Sequence, residues 1–170
     1  MPSRGSGPFD LIALLEALDV EHVEYIVVGG VAATLHGSPR MTFDLDIVPE
    51  ASRVNAERLA RALGRIGAVI RDPAHRALPV TVDLLIATMR SPQGGQLRLS
   101  TDSGPIDVLW RLHDGRGYGE LLTHSVTRSD DERSILVVDI PELVEIKRAA
   151  GRPQDLLDVQ SLEAILKRTR

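Results

Sequence analysis

Residues 27–48 read VVGGVAATLHGSPRMTFDLDIV, and this stretch does most to decide the fold. It places the glycine pair Gly29-Gly30 at the end of one apolar strand and the acids Asp44 and Asp46 on a second strand. Side chains two residues apart in a strand point the same way, so both carboxylates are expected on one face of that strand. The apolar residues between and after them are then buried on the other face. This pattern predicts a metal site beside a glycine turn.

The composition restricts the class of protein to which such a site belongs. A chain of 170 residues fits one domain and is long enough to bury a core. It contains no cysteine, which excludes disulfides, thiolate zinc sites and thiol nucleophiles. Aromatic residues make up only 3%, which argues against a base-stacking platform for single-stranded nucleic acid. The apolar runs are too short to span a bilayer and the start lacks a hydrophobic signal core, so we expect a soluble, cytoplasmic protein without a membrane partner.

The charge is unevenly distributed along the chain. The formal net charge is −4, which argues against a surface that grips nucleic acid everywhere. From Lys147 onward, however, the chain carries six cations against three acids. A cationic end beside an acidic metal site would attract a phosphate-bearing substrate, and a solvated charged helix is the alternative interpretation.

Periodicity and capping residues predict a chain in which helices and strands alternate. The predicted helices cover residues 9–18, 31–36, 52–66, 118–122, 141–150 and 154–167. The predicted strands cover residues 25–28, 43–48 (stopped by Pro49), 96–101, 105–110 and 135–138. Segment 81–89 is open between a helix capped by Thr81 and a strand, and the helix is the favoured interpretation. Segment 72–95 otherwise matches no assignable pattern.

Local signals support several of these boundaries. The turn sequence Asp102-Ser103-Gly104 predicts a hairpin between the strands at 96–101 and 105–110. Asp139 followed by Glu142 is typical of a capping box at the start of the helix at 141–150. Gly151 and Pro153 then separate that helix from the last one.

The alternation of elements predicts an α/β (α+β) fold, with a mixed β-sheet flanked by helices and with helices at the carboxyl end. Residues 1–8 are expected to form a flexible leader and residues 9–140 the core. Residues 141–170 are expected to form a helical hairpin packed on that core.

The glycine pair and the acids each allow a structural interpretation as well as a functional one. Glycines between a strand and a helix let the backbone approach phosphate oxygens, but the same pair also serves in an ordinary tight turn. Two like charges on one strand repel each other unless a cation lies between them. Solvated surface acids are the alternative for Asp44 and Asp46.

The combination of motifs resembles the DNA polymerase β-like nucleotidyltransferase superfamily. Its pattern is a glycine pair, about a dozen residues, and then Asp-hydrophobic-Asp-hydrophobic, which Gly29-Gly30 and Asp44-Leu45-Asp46-Ile47 match. Asp107, in Pro-Ile-Asp-Val-Leu, is the best match to the third carboxylate. Residues 40–43 and 145–158 look more narrowly like the small bacterial branch that includes proteins of abortive-infection and toxin–antitoxin systems. The resemblance runs from Tyr25 to about Leu162, except for its middle, residues 72–95, which matches nothing assignable.

The resemblance implies transfer of a nucleoside monophosphate from a triphosphate such as ATP to an acceptor, with release of pyrophosphate. It makes Asp44, Asp46 and Asp107 both the catalytic residues and the metal ligands, holding two Mg²⁺ (or Mn²⁺) ions roughly 3.5–4 Å apart. Asp107 would also lower the pKa of the acceptor hydroxyl or take its proton. The residues implied in nucleotide binding are Gly29, Gly30, Ser38, Arg40 and Lys147.

Competing interpretations remain for several of these residues. Asp83 is a rival third acid if its segment is a strand, and Arg40 is a candidate to pair only with Asp44. Arg152 and Asp155 are candidates for a structural pair that fixes the bend between helices. The five histidines have no metal-ligand spacing, although His36 is close enough to the glycines to touch a substrate.

The sequence leaves two functions open, and it does not identify the acceptor. The first is an active nucleotidyltransferase, favoured because all three acids and both glycines are present. The second is a non-catalytic, partner-binding component of a toxin–antitoxin system. A sugar-nucleotide transferase is a third interpretation, which the short chain and the upstream glycine pair fit poorly. The superfamily modifies tRNA ends, small molecules and protein side chains, so tRNA or a partner protein is a possible acceptor.

Overall fold

The structure is a computed structural model that describes residues 8–71, 77–129 and 131–169. The predicted leader lies outside the described residues except for its last position. The helices are α1 (Leu11–Val20), α2 (Gly29–Leu35), α3 (Arg53–Arg65), α4 (Val82–Met89), α5 (Tyr118–Leu122), α6 (Ile140–Ala150) and α7 (Pro153–Arg168). The strands are β1 (Tyr25–Val28), β2 (Leu45–Pro49), β3 (Val69–Arg71), β4 (Ala77–Pro79), β5 (Gln96–Thr101), β6 (Gly104–Leu109), β7 (Ser125–Ser129) and β8 (Ser134–Val138).

The strands form one mixed sheet in the order β4-β3-β5-β6-β2-β1-β8-β7. The pairs β1–β8 and β2–β6 are parallel, and the other pairs are antiparallel. All four residues of β1 are buried, as expected for a central strand covered on both faces. The prediction of a mixed β-sheet flanked by helices is therefore confirmed. Asp46 and Asp107 lie on the neighbouring central strands β2 and β6.

Side-chain caps explain why most of the long helices begin where they do. Asp10, Ser52, Thr81 and Asp139 each accept a hydrogen bond from the backbone N–H three residues later. These bonds satisfy donors that the first turn of a helix leaves free. The Thr81 cap confirms the helical interpretation of segment 81–89. Of the two hydrogen bonds of the predicted capping box, the structure shows the one from the Glu142 N–H to the Asp139 side chain.

Asn55 joins three elements near the centre of the fold. Its side-chain amide donates to the carbonyl oxygens of Glu24 and Glu50, at 2.8 and 2.9 Å. Its Oδ1 accepts from the Glu24 N–H at 2.8 Å. Asn55 therefore ties the start of β1 and the end of β2 to the first turn of α3.

The structure corrects several predicted boundaries. Strand β2 begins at Leu45, so Asp44 lies just before the strand, and Pro49 is its last residue instead of the residue that stops it. Helix α2 begins at Gly29, so the glycine pair forms the first turn of the helix. Strands β3, β4 and β7 were not predicted, because two of them are only three residues long and β7 is a polar edge strand without apolar alternation.

The carboxy-terminal helices α6 and α7 pack against each other, and α6 also contacts α2. Gly151 adopts a left-handed conformation, with φ of 66°, and its N–H donates to the Lys147 carbonyl. This ends α6 and reverses the chain, and Pro153 then starts α7. Within the described part of the chain, no helix has both the length and the apolarity needed to cross a membrane.

Candidate active site

Three carboxylates meet on one face of the central strands. In the parallel pair β2–β6, Asp46 lies directly opposite Asp107, and in the antiparallel pair β1–β2 it lies opposite Val28. Asp44 precedes Asp46 by two residues and contributes its side chain to the same cluster. One oxygen from each of the three carboxylates lies within 4.8 Å of the others. The structure therefore brings together the three acids that the sequence singled out.

The glycine pair makes room for this carboxylate cluster. Gly29 has a φ of 69°, which a residue with a side chain rarely adopts. A Cβ at Gly29 would overlap the carboxylate of Asp46, and a Cβ at Gly30 would lie 2.5 Å from Thr42 Oγ1. Thr42 in turn donates to Asp44 Oδ1 at 2.9 Å. The glycines are thus needed for the acids to pack against the first turn of α2.

Burial and electrostatic repulsion both raise the pKa of Asp46. Burial, together with the negative charges of Asp44 and Asp107, raises the pKa of Asp46 to about 7, against the lowering effect of Lys147 and Arg152. A carboxyl in this position gains a proton or a cation more readily than a solvated one. The cluster therefore has a physical reason to bind positive charge.

The donor set fits a hard divalent cation. All three candidate ligands are carboxylates, and oxygen ligands are those preferred by Mg²⁺, Mn²⁺ and Ca²⁺. Neutralising three crowded acids would relieve the repulsion that raises the pKa of Asp46. Asp44, Asp46 and Asp107 could hold such an ion.

The predicted nucleotide-binding cations lie in a different arrangement from the expected one. Arg40 forms a two-point ion pair with Asp158, through Nε to Oδ1 at 2.6 Å and Nη2 to Oδ2 at 2.8 Å. The suggested pairing of Arg40 with Asp44 alone is therefore wrong. Lys147 is buried, and its Nζ donates to Asp158 Oδ2 at 2.6 Å and lies 3.6 Å from Asp155 Oδ1.

Ser38 and His36 lie in the turn that follows α2. Ser38 is buried, and its hydroxyl has no hydrogen-bond partner among the residues that the structure describes. The ring of His36 contacts the Val138 carbonyl oxygen through Nε2 at 2.7 Å and Arg128 through Nδ1 at 2.8 Å. The contacts of His36 are thus to β8 and β7, on the side of the sheet away from β6.

Asp83 lies outside the carboxylate cluster, and Arg98 lies beside it. Asp83, the rival third acid, lies in the first turn of α4 and is not a member of the carboxylate cluster. Arg98, which sequence reasoning did not single out, faces Asp107 across the β5–β6 pair, and its Nε lies 3.9 Å from Asp107 Oδ2. The hairpin prediction contained the signal for Arg98, because residues opposite each other in an antiparallel pair share a face.

Arg152 and Asp155 form the pair that the sequence predicted. Arg152 Nε donates to Asp155 Oδ2 at 2.7 Å and its Nη2 to Oδ1 at 3.2 Å. The sequence did not indicate that Asp155 and Asp158 both pair with Lys147. Lys147 is in α6 and the two acids are in α7, so these ion pairs depend on how the two helices pack. These buried acids connect α7 to both α6 and the loop that carries Arg40.

Solved structures with a similar fold include two proteins that are described as nucleotidyltransferases. The chain is similar to the lincosamide antibiotic adenylyltransferase LnuA, solved with lincomycin bound, with a TM-score of 0.62, 18% identity, and coverage of 94% of this chain and 99% of that one. It is also similar to a Thermotoga maritima protein assigned as a nucleotidyltransferase, with a TM-score of 0.54, 17% identity, and coverage of 91% and 89%. No protein-family model and no curated protein sequence matches the chain.

These similarities extend over nearly the whole chain. They confirm the fold that the resemblance drawn from the glycine pair and the acids implied. Identities of 17 and 18% carry the three-dimensional arrangement and not the substrate. The chain has the nucleotidyltransferase fold.

Proposed function

We propose that the protein is a metal-dependent nucleotidyltransferase, which transfers a nucleoside monophosphate from a nucleoside triphosphate to an acceptor hydroxyl. The observation that carries this proposal is the cluster of Asp44, Asp46 and Asp107 against the glycine turn of α2. Such a cluster costs stability when it is not neutralised, so a purely structural role gives no account of it.

The reaction exchanges one bond to phosphorus for another. The acceptor oxygen bonds to the α-phosphorus, the bond from that phosphorus to the bridging oxygen breaks, and pyrophosphate leaves with the bonding electrons. We assign Asp107 to receive the acceptor proton, because it is the cluster acid on β6, beside the exposed Arg98. Mg²⁺ or Mn²⁺ held by the three carboxylates in a two-metal arrangement would stabilise negative charge on the attacking and leaving oxygens.

The donor nucleotide is expected on the α2 side of the cluster. The residues that we assign to it are Gly29, Gly30, Ser38, Arg40 and Lys147. The backbone at the glycines can approach the phosphates closely, and Arg40 presents a partly exposed guanidinium. Lys147 is buried, so its contribution is a positive charge beneath the site.

We further propose a small molecule with a free hydroxyl as the acceptor. The similarity to LnuA covers 94% of this chain and 99% of that one, and LnuA, a lincosamide antibiotic adenylyltransferase, was solved with the small molecule lincomycin bound. The net charge of −4 also disfavours a large nucleic-acid acceptor. Lincomycin is therefore the first acceptor to try. tRNA and a protein partner, including a toxin–antitoxin partner, are the alternatives.

The test is transfer of the label from an α-labelled triphosphate, measured with Mg²⁺ or Mn²⁺ and with lincomycin, tRNA and a cell extract as acceptors. Asp44→Asn, Asp46→Asn and Asp107→Asn should each lower transfer by at least about a hundredfold, the usual scale for loss of an electrostatic catalytic group. Asp83→Asn is the matched control, because it removes the same charge outside the cluster. It should transfer at the wild-type rate.

Two results would count against this proposal. If Asp46→Asn keeps wild-type transfer, the carboxylate cluster is not the catalytic centre. If the wild type labels nothing with any acceptor and its melting temperature is unchanged by magnesium and triphosphate, the non-catalytic, partner-binding function is favoured instead.

A further inference from the structure

Five charged side chains form a network where α6, α7 and the loop before β2 meet. We call it the charged network, and its members are Arg40, Lys147, Arg152, Asp155 and Asp158. Each acid in it binds two cations. Asp158 binds Arg40 and Lys147, and Asp155 binds Arg152 and, at 3.6 Å, Lys147.

The two acids of the charged network are almost completely buried. The side chains of Asp155 and Asp158 are 2 and 1% exposed. Burial raises the pKa of Asp158, but hydrogen bonds from Arg40 and Lys147 outweigh it, so the pKa is lowered overall and the acid is ionised at neutral pH. Buried charges of this kind are kept only where every partner is in place.

The three cations differ sharply in their access to solvent. The side chain of Lys147 is 4% exposed, that of Arg40 is 36% exposed, and that of Arg152 is 65% exposed. Lys147 is enclosed with the two acids, whereas the side chains of both arginines are partly accessible to an incoming ligand. Arg152 is therefore the cation of the network that is best placed to touch a substrate.

The charged network lies beside the carboxylate cluster. Arg40 is in the loop that leads to Asp44, and its carbonyl oxygen accepts a hydrogen bond from Thr34 of α2. The hydrogen bond to Asp155 raises the pKa of Arg152, and the charges of Asp46 and Asp44 raise it further. The network thus presents positive charge to the place where a metal-bound polyphosphate would be negative.

A purely structural role explains the arrangement poorly. The pair of Arg152 with buried Asp155 fixes the start of α7, where the Arg152 N–H also donates to Asp155 Oδ2 at 3.3 Å, but that role does not require an arginine side chain that stays 65% exposed. Because Asp155 already restricts the motion of the Arg152 guanidinium, an anion that binds there loses less affinity to side-chain ordering. Arg148 gives the contrast, because it pairs on the surface with Glu145 and Glu163, which are themselves exposed.

We propose that Arg152 binds the polyphosphate of the donor nucleotide, and that Asp155 and Asp158 are positioning residues that hold Arg152 and Arg40 toward it. This inference rests on the proposed function, since it names the donor contacts of the same site. It also assigns Lys147 a different part: the lysine neutralises the two acids so that both arginines can be held at once.

The test is calorimetric titration of the full chain with inorganic tripolyphosphate in the presence of Mg²⁺, at several salt concentrations. Arg152→Gln should weaken tripolyphosphate binding about tenfold or more, the scale of one charge-assisted hydrogen bond, and should reduce the salt dependence of binding. Arg148→Gln, the matched control, removes the same charge from α6 and should bind like the wild type.

The positioning role is tested with Asp155→Asn and Asp158→Asn. Each removes a partner of buried Lys147 and should lower the melting temperature, so binding is compared after correction for the folded fraction; both should then weaken tripolyphosphate binding, and Asp155→Glu should restore part of the affinity. In the transfer reaction, Asp155→Asn should raise KM for the donor triphosphate and leave kcat close to the wild-type value. Retention of wild-type tripolyphosphate affinity by both Arg152→Gln and Asp155→Asn would overturn the inference.

The outcomes separate this inference from the proposed function. If tripolyphosphate binding depends on Arg152 but no donor is ever transferred, the inference stands and the catalytic proposal fails. If transfer occurs and Arg152→Gln has the wild-type donor KM, the catalytic proposal stands and the inference fails. A wild type that does not bind tripolyphosphate at all also overturns the inference.

Discussion

Gly29 and Asp46 depend on each other for their conformations. The glycine has a backbone conformation that other residues avoid, and the position of its missing side chain is filled by the Asp46 carboxylate. The sequence pattern predicts a phosphate cradle at the glycines. The structure adds a second requirement, because any larger residue would displace a candidate metal ligand.

Substitution of Gly29 should therefore damage both stability and metal binding. Gly29→Ala forces a left-handed conformation on alanine, at a cost of about 1–2 kcal/mol, and pushes against Asp46. We expect a lower melting temperature and a weaker affinity for Mn²⁺, measured by calorimetry. Gly64→Ala is the control, because it lies in α3 with open space around it, and it should raise stability by about 0.5 kcal/mol. Wild-type Mn²⁺ affinity in Gly29→Ala would contradict this account of the glycine.

At the scale of the elements, Asn55 joins the sheet to α3. It is 1% exposed, and its side chain satisfies three backbone groups at the ends of β1 and β2. The asparagine thus reinforces the end of the β1–β2 pairing, where the Glu50 N–H also donates to the Glu24 carbonyl oxygen at 2.9 Å.

Loss of this side chain should destabilise the fold without changing the chemistry of the site. Asn55→Ala removes three hydrogen bonds to the backbone of Glu24 and Glu50, of which the Glu24 carbonyl keeps the Glu50 N–H as a partner, and leaves a cavity at a buried position, so it should cost about 2–4 kcal/mol of unfolding free energy. The measurement is urea unfolding. Val54→Ala, at a neighbouring exposed position, should change stability by less than about 0.5 kcal/mol. Equal stability of the two variants would show that Asn55 is not a structural link.

The sequence predicted the elements whose signals are local. Strand β1 is a short run of buried apolar residues, and α4 has a threonine cap that decided between helix and strand. Strands β3 and β4 were missed because three residues carry no periodicity, and β7 because its partner β8, not its own composition, makes it a strand. Such elements are set by tertiary pairing and not by local preference.

The candidate site was predictable to the same extent. Strand alternation placed Asp44 and Asp46 together, whereas Asp107 was added through the family resemblance. The parallel pairing of β2 with β6, which puts Asp107 opposite Asp46, is known only from the structure. The ion pair of Arg40 with Asp158 joins residues 118 positions apart in the sequence, and no local pattern indicates it. The charged network could be found only once α6 and α7 were seen packed together.

At the scale of the whole molecule, stability should depend on pH through Asp46. Burial, with Asp44 and Asp107, raises its pKa from the ordinary value of 3.8 to about 7, so between these two pH values the folded state binds more protons than the unfolded state. The free energy of unfolding of the metal-free protein should therefore fall as pH rises from about 4 to about 7. His36, whose pKa burial lowers, acts in the opposite direction.

The difference between the wild type and Asp46→Asn isolates this effect. In EDTA, the wild type should lose melting temperature relative to Asp46→Asn as the pH is raised from 5 to 8. Saturating Mg²⁺ should stabilise the wild type at pH 8 and leave the variant nearly unchanged. Parallel pH profiles for the two proteins in EDTA would show that Asp46 titrates like a solvated acid.

The central claim is that the carboxylate cluster transfers a nucleoside monophosphate, and one measurement tests it most directly. The protein is incubated with Mg²⁺, a cell extract, and the same triphosphate labelled at either the α- or the γ-phosphorus. We expect the α-label to enter an acceptor, the γ-label to be released in pyrophosphate, and Asp46→Asn to abolish both. Transfer of the γ-label to the acceptor, or label transfer that persists in Asp46→Asn, would contradict it.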